Sequence, residues 1–256
     1  MKAIILCGGQ GSRLREHTEF VPKGLVEIGG RPIMWHIMKL YAHHGITDFV
    51  LCLGYKGEVI KDYFLNYHAM QNDFTVNLGS LDDIRFHGRH REEAWNVTLV
   101  DTGPDTLTAE RILRVREHIE DDTFLVTYCD GVSDVNMSDL IRFHREQGRL
   151  ATFTGVRDVS RFGVVQEENG KVLGFKEKPQ LEDRINAGFF VFDPGSLGYF
   201  EGQKGMLEDV VLPSLASDGE LSMHKHEGFW HCMDTYRDML KLEGLWRDCA
   251  PWKVWE

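Results

Sequence analysis

Two kinds of apolar run alternate along the first two thirds of this chain. Continuous runs of strand length occur at Ala3-Ile4-Ile5-Leu6, Phe49-Val50-Leu51-Cys52-Leu53, Trp95 to Asp101, Thr123 to Tyr128 and Ala151 to Val156. Between them apolar residues recur at helical spacing: Ile33, Met34, Ile37, Leu40 and Tyr41 between Pro32 and Gly45, then Val59, Ile60, Tyr63 and Phe64 within Glu58 to Tyr67. Thr108 to His118 and Asp139 to Glu146 are two further predicted helices. This alternation predicts right-handed βαβ units, hence an α/β fold with a Rossmann-like, mostly parallel sheet flanked by helices. Only Asn72 to Glu93, polar and rich in charge, breaks the rhythm, and it reads as a hairpin or a long surface loop.

The pattern shortens after Phe162. Gly163 to Gln166, Val172 to Lys176 and Phe189 to Phe192 read as β segments, and Asn169-Gly170 is a hairpin-turn pair. Together they predict a small antiparallel β insertion lying over the sheet. A helix over Leu207 to Leu215, a strand over Leu221 to His226 and a helix over Tyr236 to Trp246 complete the series. The expected organisation is one domain, 1–256, with a nucleotide-binding core at 1–160, the insertion at 161–195 and a C-terminal part at 196–256. The closing Ala250-Pro251-Trp252-Lys253-Val254-Trp255 is too short to bury two tryptophans by itself. They predict an anchor in a neighbouring subunit or a tail packed on its own domain.

Composition narrows the function. With 42% hydrophobic residues in 256, the chain can bury a large core. Its 29 basic and 40 acidic residues give a formal charge of -11, which argues against nucleic acid or an anionic membrane as a general partner. No apolar run approaches the length of a membrane span, and MKAIILCGG lacks the features of a signal peptide, so a cytoplasmic location is expected. Five scattered cysteines without a Cys-x-x-Cys pair read as reduced thiols.

A phosphate ligand on so acidic a chain needs local cations, and the first strand runs straight into them. Gly8-Gly9-Gln10-Gly11-Ser12-Arg13 offers a bend with accessible backbone N–H groups and a guanidinium, and Lys23 follows after Pro22. A dinucleotide fingerprint starting at Gly9 needs glycine at position 14, which is Leu14, and no Gly-Lys-Ser/Thr is present. A Rossmann dehydrogenase is disfavoured on that count. Asp130 closes the strand that ends at Tyr128, the edge where open α/β sheets place their ligands, and Asp234 follows another largely apolar segment. Carboxylates so placed can share Mg²⁺ beside substrate phosphates, and either one alone reads as a turn aspartate. Glu177 and Lys178, before Pro179, suit a sugar hydroxyl and a phosphate, or form a surface ion pair. Arg157 and Arg161 read as solvated loop charges, and His224, His226 and His231 lack a fourth ligand for a zinc site.

The loop Leu6 to Leu14, Pro22-Lys23, Tyr128-Cys129-Asp130-Gly131, Glu177-Lys178-Pro179 and Asn186-Ala187-Gly188 together resemble the sugar-1-phosphate nucleotidylyltransferases. Within these the resemblance is nearest to the glucose-1-phosphate cytidylyltransferases. It rests on GRPIMWHIMKLYAHHGITDFVLCLGYKG, WNVTLVDTG, GFWHCMDTYRD with LEGLW after it, and APWKVWE, and it spans essentially the whole chain. The resemblance implies the nucleotide-diphospho-sugar transferase fold and transfer of CMP from CTP to a sugar 1-phosphate, giving CDP-glucose from α-D-glucose 1-phosphate. It implies a nucleotide site at Leu6, Gly8, Gly9, Gln10, Gly11, Ser12, Arg13, Lys23, Thr106, Arg111 and Cys129, with Arg13, Lys23 and Asp130 catalytic. Asp130 and Asp234 are the implied Mg²⁺ ligands, Glu177, Lys178 and Asn186 the implied acceptor residues, and a homo-oligomer the implied assembly. The same chemistry with dTTP or UTP, with another phosphate or phosphonate acceptor, or a non-catalytic nucleotide-sugar sensor are the competing expectations. Against the family pattern, Cys7 replaces Ala, Ser12 replaces Thr, Gly24 replaces a second Pro, and Cys129 and Ala187 replace glycines. The last two add volume close to the implied acceptor.

Overall fold

The computed structural model describes residues 1–11, 14, 18–88, 92, 94–119, 123–160, 162–180 and 182–256, with the backbone alone at 81 and 82. The strands in chain order are β1 (Lys2–Leu6), β2 (Glu27–Ile28), β3 (Arg31–Pro32), β4 (Asp48–Leu53), β5 (Phe74–Asn77), β6 (Ser80–Phe86), β7 (Asn96–Asp101) and β8 (Phe124–Tyr128). They continue as β9 (Gly131–Ser133), β10 (Ala151–Val156), β11 (Val164–Glu168), β12 (Lys171–Lys176), β13 (Ile185–Phe192), β14 (Leu221–Lys225) and β15 (Trp230–Cys232). Seven of them form one sheet in the order β14-β10-β13-β8-β1-β4-β7. Every neighbouring pair in it is parallel except those made by β13, which runs against both β8 and β10.

Both faces of this sheet are covered, which is why its central strands read as unbroken apolar runs. Along β1, Ala3 and Ile5 enter one core with Phe49, Leu51 and the Ile33–His43 helix, while Ile4 and Leu6 enter the other with Val50, Cys52 and Ile112. The period of two divides one run between two cores. The Ile33–His43 helix is followed by Gly45 at φ 79, the left-handed residue its C-terminal end calls for.

Three expectations change in detail. Phe189 to Phe192 belongs to β13 in the middle of the main sheet, so the insertion is the β11–β12 hairpin alone, turned by Asn169 at φ 49 and Gly170 at φ 81. Asn72 to Glu93 contains the β5–β6 hairpin. The predicted helix from Thr108 ends at Arg114 and continues as a short 3-10 turn, Arg116–His118.

The tail packs on its own subunit. Trp252 is 1% and Trp255 9% exposed, so neither is free to anchor in a neighbour. Trp252 stacks on Phe229 and donates Nε1–H to His36 Nδ1 at 3.3 Å, and Trp255 meets Trp35 edge-on. Because an indole only donates, Nδ1 of His36 is the acceptor and Nε2 carries the proton given to the Ile28 carbonyl at 2.8 Å. Burial holds His36 neutral, with its pKa lowered to about 4. Among the described residues, no helix is long and apolar enough to cross a membrane.

Candidate active site

The sheet order defines where the site falls. The chain steps outward from β1 to β4 to β7, then returns to lay β8 on the other side of β1. That reversal opens a crevice at the carboxyl ends of β1 and β8, the switch point at which open α/β sheets hold ligands. Cys7, Gly8 and Gly9 leave β1 into this crevice, and Cys129 and Asp130 leave β8 into it. Gly9 and Gln10 are exposed there, and nothing lies within 4 Å of where a Cβ on Gly9 would stand. Gly11 has φ +60, and its carbonyl accepts from Thr18 Oγ1 at 3.0 Å and from the Leu14 N–H at 2.9 Å. Ser12 and Arg13, together with Arg161, lie outside the described residues.

Asp234, more than a hundred residues away from Asp130 in sequence, is brought to it by a two-stranded ladder. β9 pairs antiparallel with β15, setting Gly131 opposite Cys232, and the Met233 N–H donates to the Asp130 carbonyl at 2.8 Å. Asp234 then precedes Thr235, which caps the Tyr236–Asp248 helix in a capping box with Asp238. Asp238 Oδ2 accepts from the Thr235 N–H and hydroxyl, both at 2.8 Å, and from the Asp234 N–H at 3.2 Å, which fixes the backbone that carries Asp234. The third member arrives from the opposite side on the 3-10 turn Lys23–Leu25. Lys23 Nζ donates to Asp130 Oδ2 at 2.6 Å and to Asp234 Oδ1 at 2.8 Å. Burial alone would depress this ammonium; the charge of Asp130 and the hydrogen bonds to both aspartates overcome it and hold Lys23 above the ordinary lysine range.

One ligand atom each from Asp130, Cys232 and Asp234 lie within 4.8 Å of one another. Burial, then the charge of Asp130, pushes the Cys232 thiol well up, so it stands neutral beside two carboxylates that already converge on a cation. Two carboxylate oxygens with a neutral thiol suit a hard, oxygen-seeking divalent ion, and the donor set fits Mg²⁺.

The remaining residues take distinct places. Arg111 is only 3% exposed. It donates Nη1–H to the carbonyls of Leu53 and Gly103 and to Thr102 Oγ1, and Nη2–H to the carbonyls of Gly8 and Pro104. It ties the glycine loop to the loop holding Thr106, and a Cβ on Gly8 would fall 2.2 Å from its Nη1. Leu6 is buried in the sheet, so what it can offer a ligand is its backbone. Cys129 is buried against Gly24, where an added Cβ would lie 3.3 Å from its own Cβ. The thiol therefore fills the space left by a glycine after Lys23, and burial pushes its pKa up to about 12. Ala187 belongs to the same core. Both departures from the family pattern are thus buried side chains.

Asn186 accepts the Gly188 N–H at 2.9 Å, and the Ala187 carbonyl takes the Trp230 indole N–H at 2.9 Å. Glu177 and Lys178 are exposed and 3.8 Å apart at the foot of the β11–β12 hairpin. Lys178 also faces a cavity of about 500 Å³ beside Asp234, lined by Trp230, His231, Thr235, Arg237 and Lys241 among others. Of these five the sequence singles out only His231, as a poor zinc ligand, although four of them lie in the GFWHCMDTYRD stretch. The other omission is Tyr128, whose hydroxyl donates to the Glu208 carboxylate under Gly188.

A glycine-rich turn at the switch point with paired carboxylates beside it suits phosphoryl-group transfer, and comparison with known proteins gives that class. The nucleotidyl transferase family model matches residues 2–249, and the chain belongs to that family. It is 48% identical over 259 residues to the glucose-1-phosphate cytidylyltransferase of Salmonella typhi and 45% identical over 257 residues to a probable glucose-1-phosphate cytidylyltransferase of Bacillus subtilis, with all of each chain covered. Among solved structures, a putative glucose-1-phosphate thymidylyltransferase of Bacillus anthracis superposes with a TM-score of 0.70 at 20% identity, covering 97% of this chain and 96% of that one. HddC of Yersinia pseudotuberculosis gives 0.71 at 20% identity, over 96% and 99% of the two chains. These two establish the fold.

Proposed function

We propose that the protein transfers CMP from CTP to α-D-glucose 1-phosphate, releasing pyrophosphate and forming CDP-glucose. The observation that carries this reading is the convergence of Lys23, Asp130 and Asp234 at the switch point, in a chain alike over its full length to glucose-1-phosphate cytidylyltransferases. Residues 1–160 act as the nucleotide-binding part, and the hairpin with the C-terminal part serves the acceptor. The backbone of Leu6 to Gly11, Ser12, Arg13, Lys23, Thr106, Arg111 and Cys129 form the nucleotide site. Glu177, Lys178 and Asn186 hold the acceptor, and the chain works as a homo-oligomer.

The chemistry needs no general base. A phosphate monoester has its second pKa near about 6, so its oxygens are largely dianionic at neutral pH and ready to attack. Attack falls on the α-phosphorus of CTP, in line with the departing pyrophosphate. Lys23 and Arg13 neutralise the charge gathering on the phosphates, and the glycine-loop amides fix their position. Asp130 and Asp234 would hold Mg²⁺, which when bound supplies further neutralisation of the phosphate oxygens. Asp238 keeps the Asp234 backbone in place.

The test incubates the protein with CTP, glucose 1-phosphate and Mg²⁺ and separates the products. Equal amounts of CDP-glucose and pyrophosphate are expected. Asp130→Asn and Asp234→Asn should each lose on the order of a hundredfold or more in turnover, as loss of one pre-organised charge group does, while melting near the parent temperature. Near-normal Mg²⁺-dependent rates in both variants would refute the metal assignment.

A further inference from the structure

The Lys23 ammonium sits between the two carboxylates that fit a divalent ion, bonded to Asp130 Oδ2 at 2.6 Å and Asp234 Oδ1 at 2.8 Å. Both bonds are of the short, charge-assisted kind. The lysine side chain is 13% exposed, so water screens this pairing weakly. Carboxylate oxygens of Asp130 and Asp234 lie with Cys232 Sγ within 4.8 Å of one another, so an ion that bridges the pair meets the region Lys23 occupies. An ammonium and a divalent cation cannot share those oxygens without strong repulsion. One of the two has to yield, and an added anion such as a nucleotide phosphate gives the displaced lysine a new partner.

We propose that Lys23 is a built-in counter-ion for the Asp130–Asp234 pair, competing with the divalent cation in the free enzyme and released onto phosphate when nucleotide binds. Cation and nucleotide therefore bind with positive coupling, each removing the obstacle to the other. Removing the lysine takes away the positive charge that Asp130 and Asp234 share, and a divalent ion can then relieve the repulsion between the two carboxylates. The identity of the phosphate ligand rests on the nucleotidyl-transfer reading; the competition itself is a property of the protein without substrates.

The test uses Mn²⁺ alone, its binding followed by electron paramagnetic resonance without nucleotide. Lys23→Met should bind Mn²⁺ about tenfold tighter than the parent, within the usual range of coupling between sites. Lys23→Arg, which keeps the charge, should show no such gain, and adding Asp130→Asn to Lys23→Met should abolish it. A Lys23→Met protein that binds Mn²⁺ no tighter than the parent overturns the proposal, as does a gain that survives Asp130→Asn. A second measurement needs no variant: acylation of Lys23 by an amine-directed reagent, read by peptide mass spectrometry, should speed up severalfold when Mn²⁺ is added. An unchanged or slower rate contradicts displacement. A gain in Lys23→Met without CDP-glucose formation by the parent keeps the counter-ion and sinks the substrate assignment. CDP-glucose formation without any gain does the reverse.

Discussion

Arg111 is a buried charged side chain that ties loops at the crevice together. Its donors are taken by four backbone carbonyls and the Thr102 hydroxyl, spread over the glycine loop after β1, the end of β4 and the loop after β7. In the proposed nucleotide site its effect passes through the shape of those loops. Truncation orphans several buried acceptors at once, each costing about 1–3 kcal/mol. Arg111→Ala should therefore lower stability by on the order of 3 kcal/mol, read as a clear drop in melting temperature, and Arg111→Lys should recover only part of it. Unchanged melting in Arg111→Ala would contradict this scaffold role. The sequence offers an arginine on a helix near a glycine loop, and nothing in that spacing tells an inward guanidinium from an outward one. Cys129 poses the same difficulty. Its compensation by Gly24 lies in contacts across a turn, and only the folded chain shows that the added sulfur points into the core.

Among elements, strands and helices of the main sheet were legible because burial on both faces writes them as apolar runs. The pairing of β9 with β15 was not, since three-residue strands carry no periodicity, yet this ladder brings Asp234 to Asp130. Phe189 to Phe192 predicts a strand without fixing which sheet it joins. Its apolar run fits the main sheet as well as a hairpin, and partner choice is tertiary. Of the two readings open for the tail, the structure shows packing on its own domain. Trp252 and Trp255 find their cover in His36, Trp35, Phe229 and Trp246, side chains scattered from residue 35 to residue 246. This docking has a pH signature. The folded pKa of His36, about 4, lies below its ordinary value of 6.5. The unfolded chain thus takes up the proton first, and the contribution is complete above pH 6.5 and falls away as pH drops toward 4. Its size is on the order of 3 kcal/mol. Melting curves from neutral pH downward, with tryptophan fluorescence as the probe, should lose stability through that window. His36→Gln should start lower at neutral pH and follow a flatter acid limb. Parallel profiles for parent and variant would show that His36 does not govern the tail.

At the scale of the molecule, an acidic chain collects its cations where one sheet reverses its strand order. The formal charge of -11 makes the surface a poor host for polyanions, while Lys23 is held charged at the crevice by the very carboxylates that can exchange it for a metal. The switch point could be foreseen from the strand-helix alternation and the glycine turn. The cavity beside Asp234, with Trp230, Arg237 and Lys241, could not, because its walls come from elements that meet only after folding. Both departures, Cys129 and Ala187, are buried in the core, so the ordinary acceptor of a cytidylyltransferase is expected. The most direct check is kcat/KM for pyrophosphate release with CTP, UTP, dTTP, ATP and GTP, each crossed with glucose 1-phosphate and with other phosphate monoesters and phosphonates. A clear maximum at CTP with glucose 1-phosphate is expected; a maximum at another nucleotide or another acceptor, or no release from any pair, would contradict the assignment.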